Sequence, residues 1–497
     1  MTMASNIPAN LTAPIFTFDV TSGGNFENEN RLILLGLGLA AGALAESNLA
    51  LCNTRNDARR LAGAGSMLEA MFLISRKNAP AQEIWIGRVA EVGTAEIRTV
   101  TVGAVPAAGG QGVLQIAGER ISVQINAGDT ANAVATALAA AINAYYNPLT
   151  SVSLPFTATV ATNVVTMTAR HKGAFSTGID AFVPVLDTVN AFAGLLTFAV
   201  GTAGAGVPDL SAILAAMNDD PYEMIVSAFG DTANVALLDS FLNNVSGRWS
   251  YAQQLYGHAF YPATDTSSNL VTKALAKDSW HLTMIPRFSA GGFAEPDYLW
   301  VAAFVARIAA WSAGGANGDV SRNQTGLVVQ GLSAPRLRAY WMDYATRDAF
   351  LKNGVSTWSI NRNGDVTIDK IITQQQTANG APDTTFRDIQ RIYQVTYALK
   401  KFRADLAAEH SNKAVADSNP DNLDAISTVK DIKATLFHSY QQMSGVLENA
   451  EAALAAMVVT RDADNPDRVN ISLPLDFVNA LDILAGLARA YSQFSAA

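Results

Sequence analysis

The sequence predicts an α/β protein: a doubly wound core domain interrupted by a β-rich α+β insertion, followed by an α+β C-terminal domain, with extended arms at both ends. Three observations carry this. Apolar runs of strand length alternate with stretches of helical spacing over 31–92 and again over 206–345, the pattern of βαβ units. Between them, over 93–205, the composition turns to Thr, Val, Ala and Gly with few charges. From 355 a period-two stretch meets Asn363-Gly364, a dipeptide suited to a hairpin turn, and a charged helix follows.

Residues 1–30 form an N-terminal arm in which Phe16, Phe18 and Val20 share one face of a strand. Such a strand cannot satisfy its backbone alone, so it pairs with its own body or with the sheet edge of another copy. The first core segment, 31–92, reads as strand 32–37, helix 57–75 and strand 83–89. The insertion reads as strands 96–105, 113–116 and 121–125, a helix over 131–144 capped by Asp129 or Thr130, and strands 152–160 and 164–169. In the second core segment, 206–345, helices at 210–217, 232–245, 267–276 and 296–311 alternate with strands at 222–228, 252–261 and 280–285. The last domain, 346–497, holds a hairpin over 355–372 and a helix capped by Asp383 or Thr384. Its apolar residues Phe386, Ile389, Ile392, Tyr393, Tyr397 and Leu399 face one way, and Arg387, Asp388, Arg391, Lys400, Lys401 and Arg403 the other. A polar loop at 411–424, a helix or strand pair to 459 and a strand at 468–477 lead to an apolar C-terminal arm carrying Leu487, Tyr491 and Phe494.

A length of 497 residues implies two to four domains. With 49% hydrophobic and 15% charged residues, much surface is buried within the subunit or against neighbours. The net charge of −9 argues against a general nucleic-acid or anionic-membrane binder. Cys52 is the single cysteine, so no intrachain disulfide forms. No secretory signal is recognisable at the start, and the most apolar run, 32–45, falls short of the roughly 20 residues that span a bilayer as a helix.

Catalytic constellations are weak throughout. Gly36-Leu37-Gly38-Leu39-Ala40-Ala41 follows a strand as a dinucleotide loop would, but Gly42 and the 48–53 stretch oppose a helix there, and Asp57 reads as an ordinary cap. The five histidines are scattered without metal-ligand spacing; His171 reads as part of a solvated turn and His281 as a core residue. Asp462, Asp464 and Asp467 suggest half a calcium loop, yet Pro466 interrupts it and no closing Glu follows. No serine lies in a nucleophile elbow. Trp341, Trp358 and Tyr393 read as core aromatics. No catalytic, cofactor or metal residue is therefore assigned.

The stretch Trp358 to Thr373, WSINRNGDVTIDKIIT, followed by FRDIQRIYQ from Phe386, resembles the C-terminal half of contractile phage tail sheath proteins, those of Mu-like phages in particular. Asn6-Ile7-Pro8, Leu34-Leu35-Gly36, Gly63-Ala64-Gly65-Ser66 before a helix ending at Met71, Glu83-Ile84-Trp85 and Gly206-Val207-Pro208-Asp209 follow in sheath order. The likeness implies a structural virion protein, not an enzyme. It would polymerise helically around a tail tube and contract to drive that tube through the host envelope. Its implied partners are further copies of itself, the tube protein, and baseplate and tail terminator proteins, with no nucleic acid and no membrane insertion. Its implied place is the virion tail, with the host cytoplasm during assembly. By the same likeness Lys400, Lys401 and Arg403 face an acidic tube. Two other readings stand beside it: a doubly wound nucleotide-binding enzyme or hydrolase, and the sheath of a phage-like bacteriocin or contractile secretion machine.

Overall fold

The computed structural model describes residues 30–105, 108–186 and 189–490. The first core strand, β1 (Leu32–Leu37), is buried on both faces, as a central parallel strand requires. Then come β2 (Leu49–Leu51), α1 (Arg55–Ala62), α2 (Met67–Asn78) and β3 (Ile84–Val89). Where the spacing predicts one helix over 57–75, and the likeness a helix ending at Met71, there are two, the second running on to Asn78. The break falls at Gly63, whose φ of +87° favours glycine and where a Cβ would lie 2.9 Å from that of Leu39. Each helix has its own cap: Thr54 and Asp57 form a capping box on α1, and the Ser66 hydroxyl accepts the Glu69 N–H on α2.

The insertion leaves after β3 as β4 (Ala95–Val102), β5 (Gly110–Ile116), β6 (Glu119–Ile125), α3 (Ala131–Ala144), β7 (Phe156–Ala161), β8 (Val164–Lys172), β9 (Ala181–Phe182) and β10 (Leu196–Thr202). These form two antiparallel sheets, β10-β4-β8-β7 and β6-β5-β9. They enclose a separate apolar cluster that includes Val100, Leu114, Leu138, Phe156 and Phe192. Thr130 caps α3 by accepting the Ala133 N–H. The two ends of the insertion run side by side, with the Thr94 and Ala205 backbones bonded to each other at 2.9 and 3.2 Å.

The core resumes with α4 (Ser211–Ala216), β11 (Met224–Ser227), α5 (Thr232–Leu242), β12 (His258–Asp265), α6 (Ser267–Leu275), β13 (Leu282–Phe288) and α7 (Asp297–Ala313). The strand predicted from 252 begins only at His258. The buried Arg248 guanidinium gathers the carbonyls of Asn218, Asp220 and Tyr256 and folds that stretch into a turn, with Gln254 and Tyr256 at positive φ. The six strands order as β13-β12-β11-β1-β3-β2, all parallel except β2. From β1 the chain moves one way to β3, and from β11 the other way to β12 and β13. Right-handed crossovers therefore place helices on both faces: α2 and α7 packed together on one, α4, α5 and α6 on the other.

The remainder begins with β14 (Val328–Ser333), which pattern reading misses because Gly331 interrupts it, and α8 (Tyr344–Leu351). The hairpin follows as β15 (Thr357–Ile360) and β16 (Asp365–Lys370), in a sheet ordered β14-β16-β15. Gly364 takes the left-handed residue of its turn, while the Asn361 side chain accepts the N–H groups of Asn363 and Asp365. Then come α9 (Ile389–His410), α10 (Val429–Gln442), α11 (Ala450–Ala456) and a hairpin of Val458–Arg461 and Val469–Ser472. Helix α9 starts later than the predicted cap at Asp383 or Thr384. Thr373 and Gln375 bind the backbone of 386–387, which a turn from Thr384 O to the Arg387 N–H keeps out of the helix, and residue 388 bridges to Ile372. Trp358 is fully buried among Phe288, Phe293 and Trp300 and donates to Pro286 O at 3.0 Å, whereas Trp341 is half-buried. One apolar cluster consequently runs from Leu32 through the core sheet to Phe477.

Candidate assembly interface

The carboxyl ends of β1 and β11, neighbours whose following helices go to opposite faces, mark the crevice where open α/β sheets hold ligands. The insertion reaches into the ground beside it. The first N–H of α2, from Met67, donates to His171 Nε2 at 2.9 Å, and Glu69 accepts the Gly65 N–H at 2.5 Å. Phe175 packs edge-on against Phe229 and Tyr298. An anion seat at a helix start is thus used as a joint between core and insertion. The glycines after β1 serve close packing: a Cβ on Gly36 would press the Met67 and Met71 sulfurs, and one on Gly42 would lie 2.4 Å from Leu61 O. His171 does not sit in a solvated turn. Strand β8 continues to Lys172 and buries it, with its other nitrogen against the Glu91 carboxylate.

His258 and His281 lie in the core at the amino ends of β12 and β13. His258 Nε2 meets the Thr283 hydroxyl at 2.7 Å, and the His281 ring lies tilted by 31° against Trp280 with centroids 4.0 Å apart. Burial holds His258 well below its ordinary pKa and pushes His281 down to about 4. Asp462 accepts the N–H groups of Asp464 and Asn465 and a side-chain N–H of Asn470, which makes that triplet a hairpin turn. No group of three or more His, Cys, Asp or Glu able to hold a metal occurs among the described residues, and no helix among them is long and apolar enough to cross a membrane.

Of the arm residues, Phe16, Phe18, Val20, Tyr491 and Phe494 lie outside the described residues, and Leu487 is 80% exposed. The end of the chain is tied down in steps. Gln394 donates to Val478 O at 2.7 Å, Arg391 to the Asn479 side chain at 2.8 Å and Asn323 to Leu481 O at 2.6 Å. Lys370 then joins the carboxylates of Asp388 and Asp482. Beyond Asp482, residues 483–490 make no hydrogen bond to the body among the described residues, and Ile483 and Leu484 are exposed.

Sheet edges differ in how they are guarded. Along β14, the Asn78 side chain pairs with both backbone groups of Gln330, and Arg307 donates to Val328 O. Asn143 does the same for Ala158 on β7. The hairpin of Val458–Arg461 and Val469–Ser472 has only two strands and shows Val458 and Ile471 to solvent. An unguarded short ribbon of this kind gains most from an added strand.

The three basic residues of α9 fall in different places. Lys400 Nζ pairs with Glu223 Oε1, whose side chain is 2% exposed and whose Oε2 accepts the Arg31 N–H at 2.8 Å. Lys401 pairs with Asp405, which also accepts the Ser439 hydroxyl. Arg403 is exposed. Sequence reasoning missed Glu223, and spacing carries no signal for it: it lies 177 residues from Lys400.

Residues 203–373 match the family model of the phage tail sheath protein central domain. Along 97% of its length the chain is 26% identical to the Mu-like prophage FluMu tail sheath protein of Haemophilus influenzae, covering 98% of that protein. It is similar in fold to the sheath tail protein of Desulfitobacterium hafniense, with a TM-score of 0.50 and 13% identity over 94% of this chain and 97% of the other. The helical sheath of the anti-feeding prophage in its contracted state aligns at a TM-score of 0.44 and 11% identity, over 98% of this chain and 99% of that one.

Proposed function

We propose that this chain, a phage tail sheath protein by its central domain and its whole-length likeness to a Mu-like prophage sheath, works as the repeating subunit of a contractile tail. Copies stack helically around a tail tube and contract to drive it through the host envelope. The observation that carries the strand-exchange part is the apolar segment after Asp482, which leaves the body uncovered. A helical tube needs contacts that repeat without closing, and a terminal strand added to a neighbour's sheet supplies one. An arm making about five to eight backbone hydrogen bonds, at roughly 0.5–1.5 kcal/mol each, tethers a neighbour while the bodies turn. Contraction is then a rigid-body change between two packings, and the extended one is metastable.

In this reading the core sheet, the insertion over 93–205 and the C-terminal part over 346–497 are three working units. The continuous apolar cluster from Leu32 to Phe477 supports core and C-terminal part moving together, and the separate cluster of the insertion supports a decoration. The acceptor edge is the hairpin of Val458–Arg461 and Val469–Ser472. Arg403 is the tube-facing candidate, since Lys400 and Lys401 have partners inside the chain. The chain carries no catalysis; the tube, baseplate and terminator proteins are its partners, and assembly takes place in the host cytoplasm. Negative-stain microscopy of the purified protein tests the reading: hollow cylinders support it, while a monomer strongly stabilised by a nucleotide overturns it.

A further inference from the structure

A cleft of about 1240 Å³ lies between the core and the insertion. Leu73, Leu299 and Leu332 on the core side and Tyr146 and Leu149 on the insertion side give it apolar walls, with Leu149 90% exposed. Glu295 also lines it, 6% exposed; one carboxylate oxygen accepts the Ser333 hydroxyl, and Oε2 has no hydrogen-bond partner among the described residues. The buried hydroxyl of Thr150 is likewise unpartnered there. Buried polar atoms of this kind ask for donors that an extended backbone can bring. Arg55 and Lys77 are exposed at the rim on the core side, with Arg76 beside them, while the Glu119 carboxylate on the insertion side is held by the Tyr145 hydroxyl and the Asn147 amide.

The chain contains one segment suited to this cleft. Residues 1–29 hold no Lys, Arg or His, carry carboxylates at Asp19, Glu27 and Glu29, and place Phe16, Phe18 and Val20 in alternation. They join the body at Asn30, whose carbonyl accepts from Gln82, and the Gln82 carbonyl in turn accepts from Arg76 at the cleft wall. Charge, apolar pattern and point of exit agree.

We infer that the N-terminal segment of an unassembled subunit docks in its own cleft between core and insertion, so that its strand is covered until a neighbour takes it. The docking deepens the strand-exchange reading but is measured on single subunits, so it stands or falls apart from tube formation. A free apolar strand is an aggregation hazard, and a weak intramolecular seat removes it.

The test is disulfide trapping in the full chain. Phe18→Cys is combined with Leu332→Cys in a Cys52→Ser background, and Phe18→Cys with the distant, exposed Tyr251→Cys serves as control. Mild oxidation of dilute protein is expected to give a compact, monomer-sized crosslinked species at several times the control yield. Lys77→Glu is expected to lower that yield several-fold at low salt, with the difference vanishing at high salt. Dimer-sized products would show that a second copy fills the cleft, and yields equal to the control would show that the segment does not dock. Either result overturns the inference.

Discussion

Replacing Lys400 by alanine takes the ammonium from Glu223 and leaves a carboxylate 2% exposed at the foot of β11. Removing one partner of a buried ion pair costs about 3–5 kcal/mol, because the remaining charge is desolvated and unpaired. Glu223 keeps the Arg31 N–H, a charge-assisted bond, and the nearby Arg248 charge, which soften the loss, so the expected cost is about 2–3 kcal/mol. Arg403→Ala, at an exposed position whose guanidinium reaches the core only through a charge effect on Tyr256, is expected to change stability by less than about 0.5 kcal/mol. Urea unfolding of the two variants reads the contrast as a shift in midpoint at constant slope. Adding Glu223→Gln to Lys400→Ala is expected to recover part of the loss, since the stranded charge is gone. An unchanged midpoint in Lys400→Ala would refute the reasoning and return Lys400 to the candidates for tube contact. Arg403→Glu is then the clean probe of docking on a tube, because it alters a surface without loosening the fold.

Acidification is the second perturbation. An unfolded histidine titrates near 6.5, while burial pushes the folded His281 down to about 4 and holds His258 well below its ordinary value. The unfolded state therefore binds more protons below about 6.5. The contribution is fully present above that pH and is lost as pH falls toward about 4, at about 1.4 kcal/mol per unit for each histidine. For His281 the loss approaches roughly 3 kcal/mol, and urea midpoints between pH 7 and pH 4.5 should fall less steeply in His281→Asn; parallel curves would count against this. Excising 95–203 is expected to leave a folded core, because Thr94 and Ala205 are already bonded neighbours and the insertion has its own apolar cluster. Loss of the cooperative core transition in circular dichroism would contradict that.

Much of the core was legible because its strands are short, mostly apolar runs between turn residues: residues 32–37, 84–89 and 224–227 stand out by composition, Arg88 and Ser227 apart. Boundaries moved where a distant side chain overrides local preference. Arg248 folds the stretch before His258, and Thr373 and Gln375 keep 386–387 out of α9. The basic face of α9 looked uniform in sequence because spacing places Lys400, Lys401 and Arg403 near one another and says nothing of Glu223 or Asp405. His171 was misplaced for the same reason: its charged neighbours suggested solvent, while Met67, 104 residues away, holds it inside.

The central claim is that terminal segments carry the assembly and the body carries the fold. Two shortened chains test it most directly, one lacking residues 1–20 and one ending at Asp482, each followed by pelleting and electron microscopy beside the full chain. The account predicts that the C-terminal cut unfolds at the urea midpoint of the full chain, within about 0.5 kcal/mol, that the chain lacking residues 1–20 keeps a cooperative folded body, and that neither forms tubes. Intact tubes from both would contradict it.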